Sequence, residues 1–180
     1  MHRPAAITLL VMASIAAACI VRADSSTDTD ITELDRRVEH FLGAVSAFTN
    51  APTPESLAET REALTNVETA WHHLPPALIN DPDRRELVRS IGSGEVGQAD
   101  LRELIGASRC PVPFSRDMIR TLNVDMQGLA VLAYLLEDSG RGENDPAAVV
   151  AAFASQPRRA AYLASAAALL KEKSALLATP

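Results

Sequence analysis

The sequence predicts an all-α fold, an up-and-down helical bundle of about four long helices plus short ones. Three observations carry that expectation. Apolar residues recur at steps of three and four along most of the chain, which is the period of a helix with one buried face. No alternating β-branched run and no hairpin dipeptide between strands interrupts that pattern. The stretch Gly128 to Asp138, GLAVLAYLLED, holds an unbroken apolar run from Leu129 to Leu136. That run is too short to cross a bilayer, and its Leu and Ala favour helix over strand. A helix apolar on every side belongs at the centre of a bundle, so the other segments read as its wrapping.

The chain of 180 residues is long enough for one domain. Its apolar fraction of 47% supplies a core, and with aromatics at only 4% that core must be built from Leu, Ala, Val and Ile. A net charge of −6 argues against nucleic acid and anionic membrane surfaces as partners.

The N-terminus has the texture of an export signal. His2 and Arg3 form a short polar start, Ala5 to Val21 is apolar and Ala-rich, and Ser25 to Asp30 turns abruptly polar. Residues 1–23 are therefore expected to be a secretory signal peptide, 24–29 a polar tether and 30–180 a single domain. Two processing routes fit. Val21-Arg22-Ala23 before Asp24 suits ordinary cleavage. Ala16-Ala17-Ala18-Cys19 resembles a lipobox, with Ala16 where Leu is usual and Cys19 as the lipidated first residue. Either route predicts a periplasmic or secreted protein, touching the membrane only through a lipid. Cys110 is then a lone thiol in an Arg-Cys-Pro-Val-Pro loop. It reads as a small half-buried apolar residue, because no local pattern supplies the His that a nucleophile needs.

Each helix has its own start and stop. Asp30-Ile31-Thr32-Glu33 reads as a capping box, and Ile31, Leu34, Val38, Phe41, Leu42, Val45 and Phe48 form the stripe of a helix ending near Asn50. Thr53-Pro54-Glu55 starts the second: a hydroxyl cap, proline at the first helical position and an acid in the first turn. Leu57, Leu64, Val67, Trp71 and Leu74 mark its buried face, and Pro75-Pro76 stops it. So short a link predicts antiparallel neighbours.

Residues 77–115 read as an excursion of short helices and loops. Asp81-Pro82 opens one piece through about Ile91, and Ala99 to Ile105 forms another. Gly92, Gly94 and Gly97 imitate a dinucleotide fingerprint, but no strand precedes them. Ser115 caps the helical region that leads into the central run, with a kink or break expected between Asn123 and Gly128. Asp145-Pro146 starts a piece through about Ala154. Gln156-Pro157 starts the last helix, in which Lys171 and Lys173 lie late, where cations suit the helix dipole.

Candidate chemistry is sparse, and no cofactor is expected. The histidines after the leader are His40, His72 and His73. Glu68 and His72 are four apart on one helix face, and His40 is on the neighbouring helix, so a bundle could gather them into a metal site. The Pro-Pro stop beside His72 favours surface or capping roles instead. No Glu-x-x-His pair, no Cys-x-x-Cys-His and no Ser–His–acid spacing occurs. Arg36-Arg37, Arg84-Arg85 and Arg158-Arg159 read as solvated helix faces.

The run at 128–138 resembles the signature helix of imelysin-like proteins, bacterial periplasmic or lipoprotein helical bundles. Arg61 to Trp71 is similar to that family's early Ala-Arg-x-x-Trp-type helix, and Pro157-Arg158-Arg159-Ala160-Ala161-Tyr162-Leu163 to its returning Tyr-rich helix. The resemblance covers roughly residues 30 to 178 and implies one half of the family's double bundle. The family's Gly-x-His-x-x-Glu motif keeps its glycine at Gly128, but its His falls on Ala130 and its Glu on Ala133. Loss of both ligands together is coherent, because a lone Glu in an apolar run would be costly or forced neutral. The resemblance thus implies a non-catalytic binding or accessory protein of the cell envelope, not an enzyme. Its partner would be an envelope protein or a small ligand. The alternative is a metal (iron)-binding or metallopeptidase-type protein with a site relocated to Glu68, His72 and His40.

Overall fold

A computed structural model describes residues 5–92, 94, 96–106, 114–138 and 145–179, with side chains from Thr27 onward. The described residues are all-helical, and the fold is a helical bundle. Its long members are α1 (Ala5–Asn50), α2 (Pro54–His72) and α9 (Pro157–Leu177). Between them come α3 (Pro76–Ile79), α4 (Arg85–Gly92), α5 (Gln98–Gly106), α6 (Arg116–Arg120), a 3-10 turn (Val124–Met126), α7 (Gly128–Glu137) and α8 (Pro146–Ser155). α1 packs on α2 and α9, and both of those pack on α7, so the four close a ring.

The α1–α2 hairpin forms as its apolar stripes dictate. Ile31, Leu34, Val38, Phe41, Val45 and Phe48 are buried on α1, facing Leu57, Leu64, Val67 and Trp71 on α2. Thr60 Oγ1 donates to Ala44 O at 3.2 Å, and Arg37 Nη1 to Asn66 O at 3.0 Å, which fixes the two helices as antiparallel. Thr53 caps α2 with a capping box completed by Ser56.

Upstream of that hairpin the outcome differs from expectation. α1 does not begin at Asp30; the helix continues back through residues 24–29, the expected tether. No Gly or Pro interrupts that stretch, and Thr32 Oγ1 returns to Asp28 O at 2.7 Å, one turn earlier. Glu33, expected to close a capping box, pairs with Arg36 and Arg37 instead. These pairs hold its pKa down at about 2.

The starts of α6 and α8 are where the sequence puts them. Ser115 Oγ accepts from Met118 N, and Asp145 Oδ1 from Ala147 N. The start expected at Asp81-Pro82 is set back: α4 begins at Arg85, and Asp81 instead turns the chain by accepting from Asp83 N at 2.9 Å. Of the expected kink or break, the structure has the break: α6 ends at Arg120, and the chain passes through the 3-10 turn before α7 begins.

Gly128 makes that break. Its φ is +79°, and a Cβ there would lie 2.4 Å from Ile91 O and 2.8 Å from Ser90 O. Only glycine accepts both the left-handed backbone and so close an approach to α4. α7 is not apolar on every side in its setting. Leu129, Val131, Leu132, Leu135 and Leu136 are buried, whereas Ala130, Ala133 and Tyr134 are half-buried along its outer side. The two alanines therefore flank the packed seam and do not form it.

Candidate functional site: an arginine-lined cleft

A cleft of about 470 Å³ opens where the C-terminal ends of α5 and α7 meet the N-terminal end of α9. Its volume lies within the range of small-molecule sites, roughly 300–1,000 Å³. Arg102, Arg158, Arg159, Tyr134 and Gln156 supply its polar groups, and Leu101 and Ile105 much of its apolar wall.

Helix ends explain why arginines gather there. The last carbonyls of a helix lack intrahelical donors and carry the negative end of its dipole. Arg158 donates Nη2 to Leu104 O at 2.9 Å and Nε to Ile105 O at 3.2 Å, closing the end of α5. Its guanidinium also stands 4.6 Å from the centre of the Phe114 ring. Arg159 Nη2 donates to Leu135 O at 2.7 Å and to Asp138 O, closing the end of α7. From the other side, Arg61 donates Nε and Nη2 to Leu136 O at 3.0 and 2.7 Å.

The burial of Arg159 corrects the expectation of a solvated Arg158-Arg159 face. Arg159 is 2% exposed, with the Phe153 ring centre 5.0 Å from its guanidinium carbon. Burial, the dominant influence, pushes its pKa below the usual arginine value, and Asp138 pulls it back up. Its Nε–H is buried with no hydrogen-bond partner among the described residues. Arg84 is corrected likewise: it holds Leu177 O at 2.5 Å and Thr179 O at 3.0 Å at the end of α9.

Arg102 lies at the mouth, its side chain 44% exposed. It donates Nε to Tyr134 Oη at 2.7 Å and Nη2 to Asp138 Oδ2 at 2.8 Å. Burial and the nearby Asp138 carboxylate push the Tyr134 phenol up, so it stays protonated at neutral pH.

A second buried cation lies at the other end of α7. Lys173, expected late in the last helix where cations suit its dipole, is 7% exposed and points inward. Its Nζ donates to Ser90 O at 3.0 Å and Gln127 Oε1 at 2.8 Å, and burial lowers its pKa to about 8. Lys171 does stay outside, against Asp35 and Glu39.

The sequence-predicted metal residues are not assembled. His40 is exposed in a shallow pocket with Arg36, Arg37 and Asn66. Glu68 is half-buried, and its pKa is raised by burial first and the Glu137 carboxylate second, with His72 acting the other way. Among the described residues no group of three or more His, Cys, Asp and Glu side chains could hold a metal ion. Glu68 and His72 share a face, and His40 does not join them.

Gly92 ends α4 close against the Trp71 indole, and Gly97 donates its N–H to Asp125 O, so neither cradles a phosphate. Cys110 and the side chain of Cys19 lie outside the described residues. No described helix is long and apolar enough to cross a membrane.

No family model, no curated protein and no solved structure matches this chain.

Proposed function

We propose that this chain is a non-catalytic, imelysin-like binding or accessory module of the bacterial cell envelope. In this reading it is exported by a signal peptide over 1–23, then anchored through Cys19 or released with Asp24 first. The chemistry of the arginine-lined cleft carries the proposal. Its lining offers guanidinium, phenol and amide groups, with no Ser, Cys or His among the described lining residues. The adjoining Asp138 carboxylate is held by Arg102. Donors fixed by backbone carbonyls can grip a ligand, and the two groups that could act as base or nucleophile, the Tyr134 phenol and the Asp138 carboxylate, are both engaged by Arg102. Ala130 and Ala133 at the motif positions support the same reading from the resemblance.

Cell fractionation of a bacterial host, with mass spectrometry of the N-terminus, tests it. A diacylglyceryl-modified Cys19 or a free Asp24 in the envelope fraction is expected. An intact Met1 in the cytosol overturns export. Tight one-to-one metal that is lost in His72→Ala would overturn the non-catalytic assignment and favour the relocated metal site.

A further inference from the structure

Two features of the cleft are left unexplained by helix capping. The first is the uncapped start of α9. This helix of 21 residues begins at the cleft with no side-chain cap and no acid in its first turn, and carries Arg158 and Arg159 there instead. Cations are disfavoured at a helix N-terminus, where the dipole is positive. The second is Arg159 itself, which lines the cleft, is 2% exposed and keeps an Nε–H without an acceptor among the described residues. A buried donor left unmade is costly, so an acceptor that reached it would be stabilised there.

Charge points the same way. Among the described residues, Arg102 and Arg159 both act on the carboxylate of Asp138, and Arg159 also reaches carbonyl oxygens, which carry no net charge. Arg102 stands at the mouth with its side chain part-exposed and its Nε and Nη2 on Tyr134 and Asp138. A guanidinium fork matches the geometry of a carboxylate or phosphate. Leu101, Ile105 and the Tyr134 ring line the remaining wall.

We propose that the cleft between α5, α7 and α9 binds a small oxyanion, carboxylate or phosphate, that carries a short apolar or aromatic body. The oxyanion is held by Arg102 at the mouth and Arg159 beneath it, at the positive end of α9. The apolar body lies against Leu101, Ile105 and Tyr134. This ligand class rests on the reading of the chain as a binding module and gives that module its cargo.

Calorimetric titration of the purified full chain tests the inference with three probes of one size: phenyl phosphate, phenylacetate and the neutral 2-phenylethanol. Binding of either anion, with no binding of the alcohol, is expected, and the tighter anion identifies the preferred oxyanion. Arg102→Gln, at a part-exposed position, should weaken anion binding about tenfold, while Arg36→Gln on the far hairpin should leave it unchanged. Raising salt from about 0.05 M to about 0.5 M should also weaken it in the wild-type chain, a readout that survives if the variant fails to fold. Equal binding of the alcohol and the anions, or no binding of any probe, overturns the inference. So does anion binding indifferent both to salt and to a folded Arg102→Gln. An exported chain that ignores all three probes would lose the ligand and keep the proposed envelope role. A cytosolic chain that binds the anions would do the reverse.

Discussion

The α1–α2 hairpin and the cleft end of the bundle are built from different forces. In the hairpin, apolar side chains such as Phe41, Phe48, Leu57 and Val67 are fully buried, and the polar groups bond mostly within their own helix. At the cleft end, cations reach across the chain to finish other helices: Arg61 and Arg159 for α7, Arg158 for α5. Away from the cleft, at the other end of α7, Lys173 does the same for the end of α4. One region is held by burial, which is non-directional and tolerates repacking. The other is held by directed charge-assisted bonds, which fix geometry and leave a cleft between the helix ends that they tie.

The largest expected effect lies in the hairpin. Phe48 is fully buried, with its ring 4.7 Å from that of Phe153. Phe48→Ala should cost about 3–5 kcal/mol in urea unfolding, and Phe48→Leu much less, because only volume matters there. At the cleft end volume should not be enough. Arg159→Met keeps most of the side-chain bulk but strips donors from Leu135 O and Asp138 O, and should cost about 2–3 kcal/mol. Hydrogen exchange should quicken at the end of α7 in that variant and stay unchanged in α2. A loss as small as that of Phe48→Leu would break the contrast.

Lys173 sharpens the same comparison through pH. Its folded pKa of about 8 lies below its ordinary 10.5. Between those values the unfolded chain holds more protons, so its contribution to stability rises as pH goes from about 8 to 10 and is lowest below 8. Lys173→Met should flatten that part of the urea-midpoint profile. A wild-type slope that persists in the variant would place the titration elsewhere. The smallest effect belongs to Glu33, whose pairs with Arg36 and Arg37 lie on the solvent side of α1. Glu33→Gln should leave the urea midpoint unchanged, because exposed ion pairs are screened and entropically opposed.

What could be read from the sequence follows the same divide. Apolar periodicity shows which face of α1, α2 and α9 turns inward, and Thr53, Ser115 and Asp145 announce helix starts, because both signals are local. The all-helical fold was legible on those grounds. Arg159 and Lys173 were not, since a basic residue on a helix reads as solvated until the distant carbonyls it meets are known. The pattern Pro-Arg-Arg at a helix start held a usable clue: cations sit at the end where the dipole opposes them. The break before α7 was visible at Gly128, but its reason, the approach of Ser90 and Ile91, was not. The backward extension of α1 past Asp30 was hidden because a capping box and an uninterrupted helix share the same residues.

The position of Arg158 and Arg159 bears on the order in which the molecule can be completed. α5 and α7 are made before α9, yet some of their final acceptors are satisfied only by side chains that follow them in the chain. A nascent chain that has reached residue 138 can pair α1 with α2, but α7 lacks the Arg159 half of its closure. The α1–α2 hairpin can therefore form early by local zipping, whereas the cleft comes into being in one late step, as α9 docks. Synthesis leaves the cleft for last.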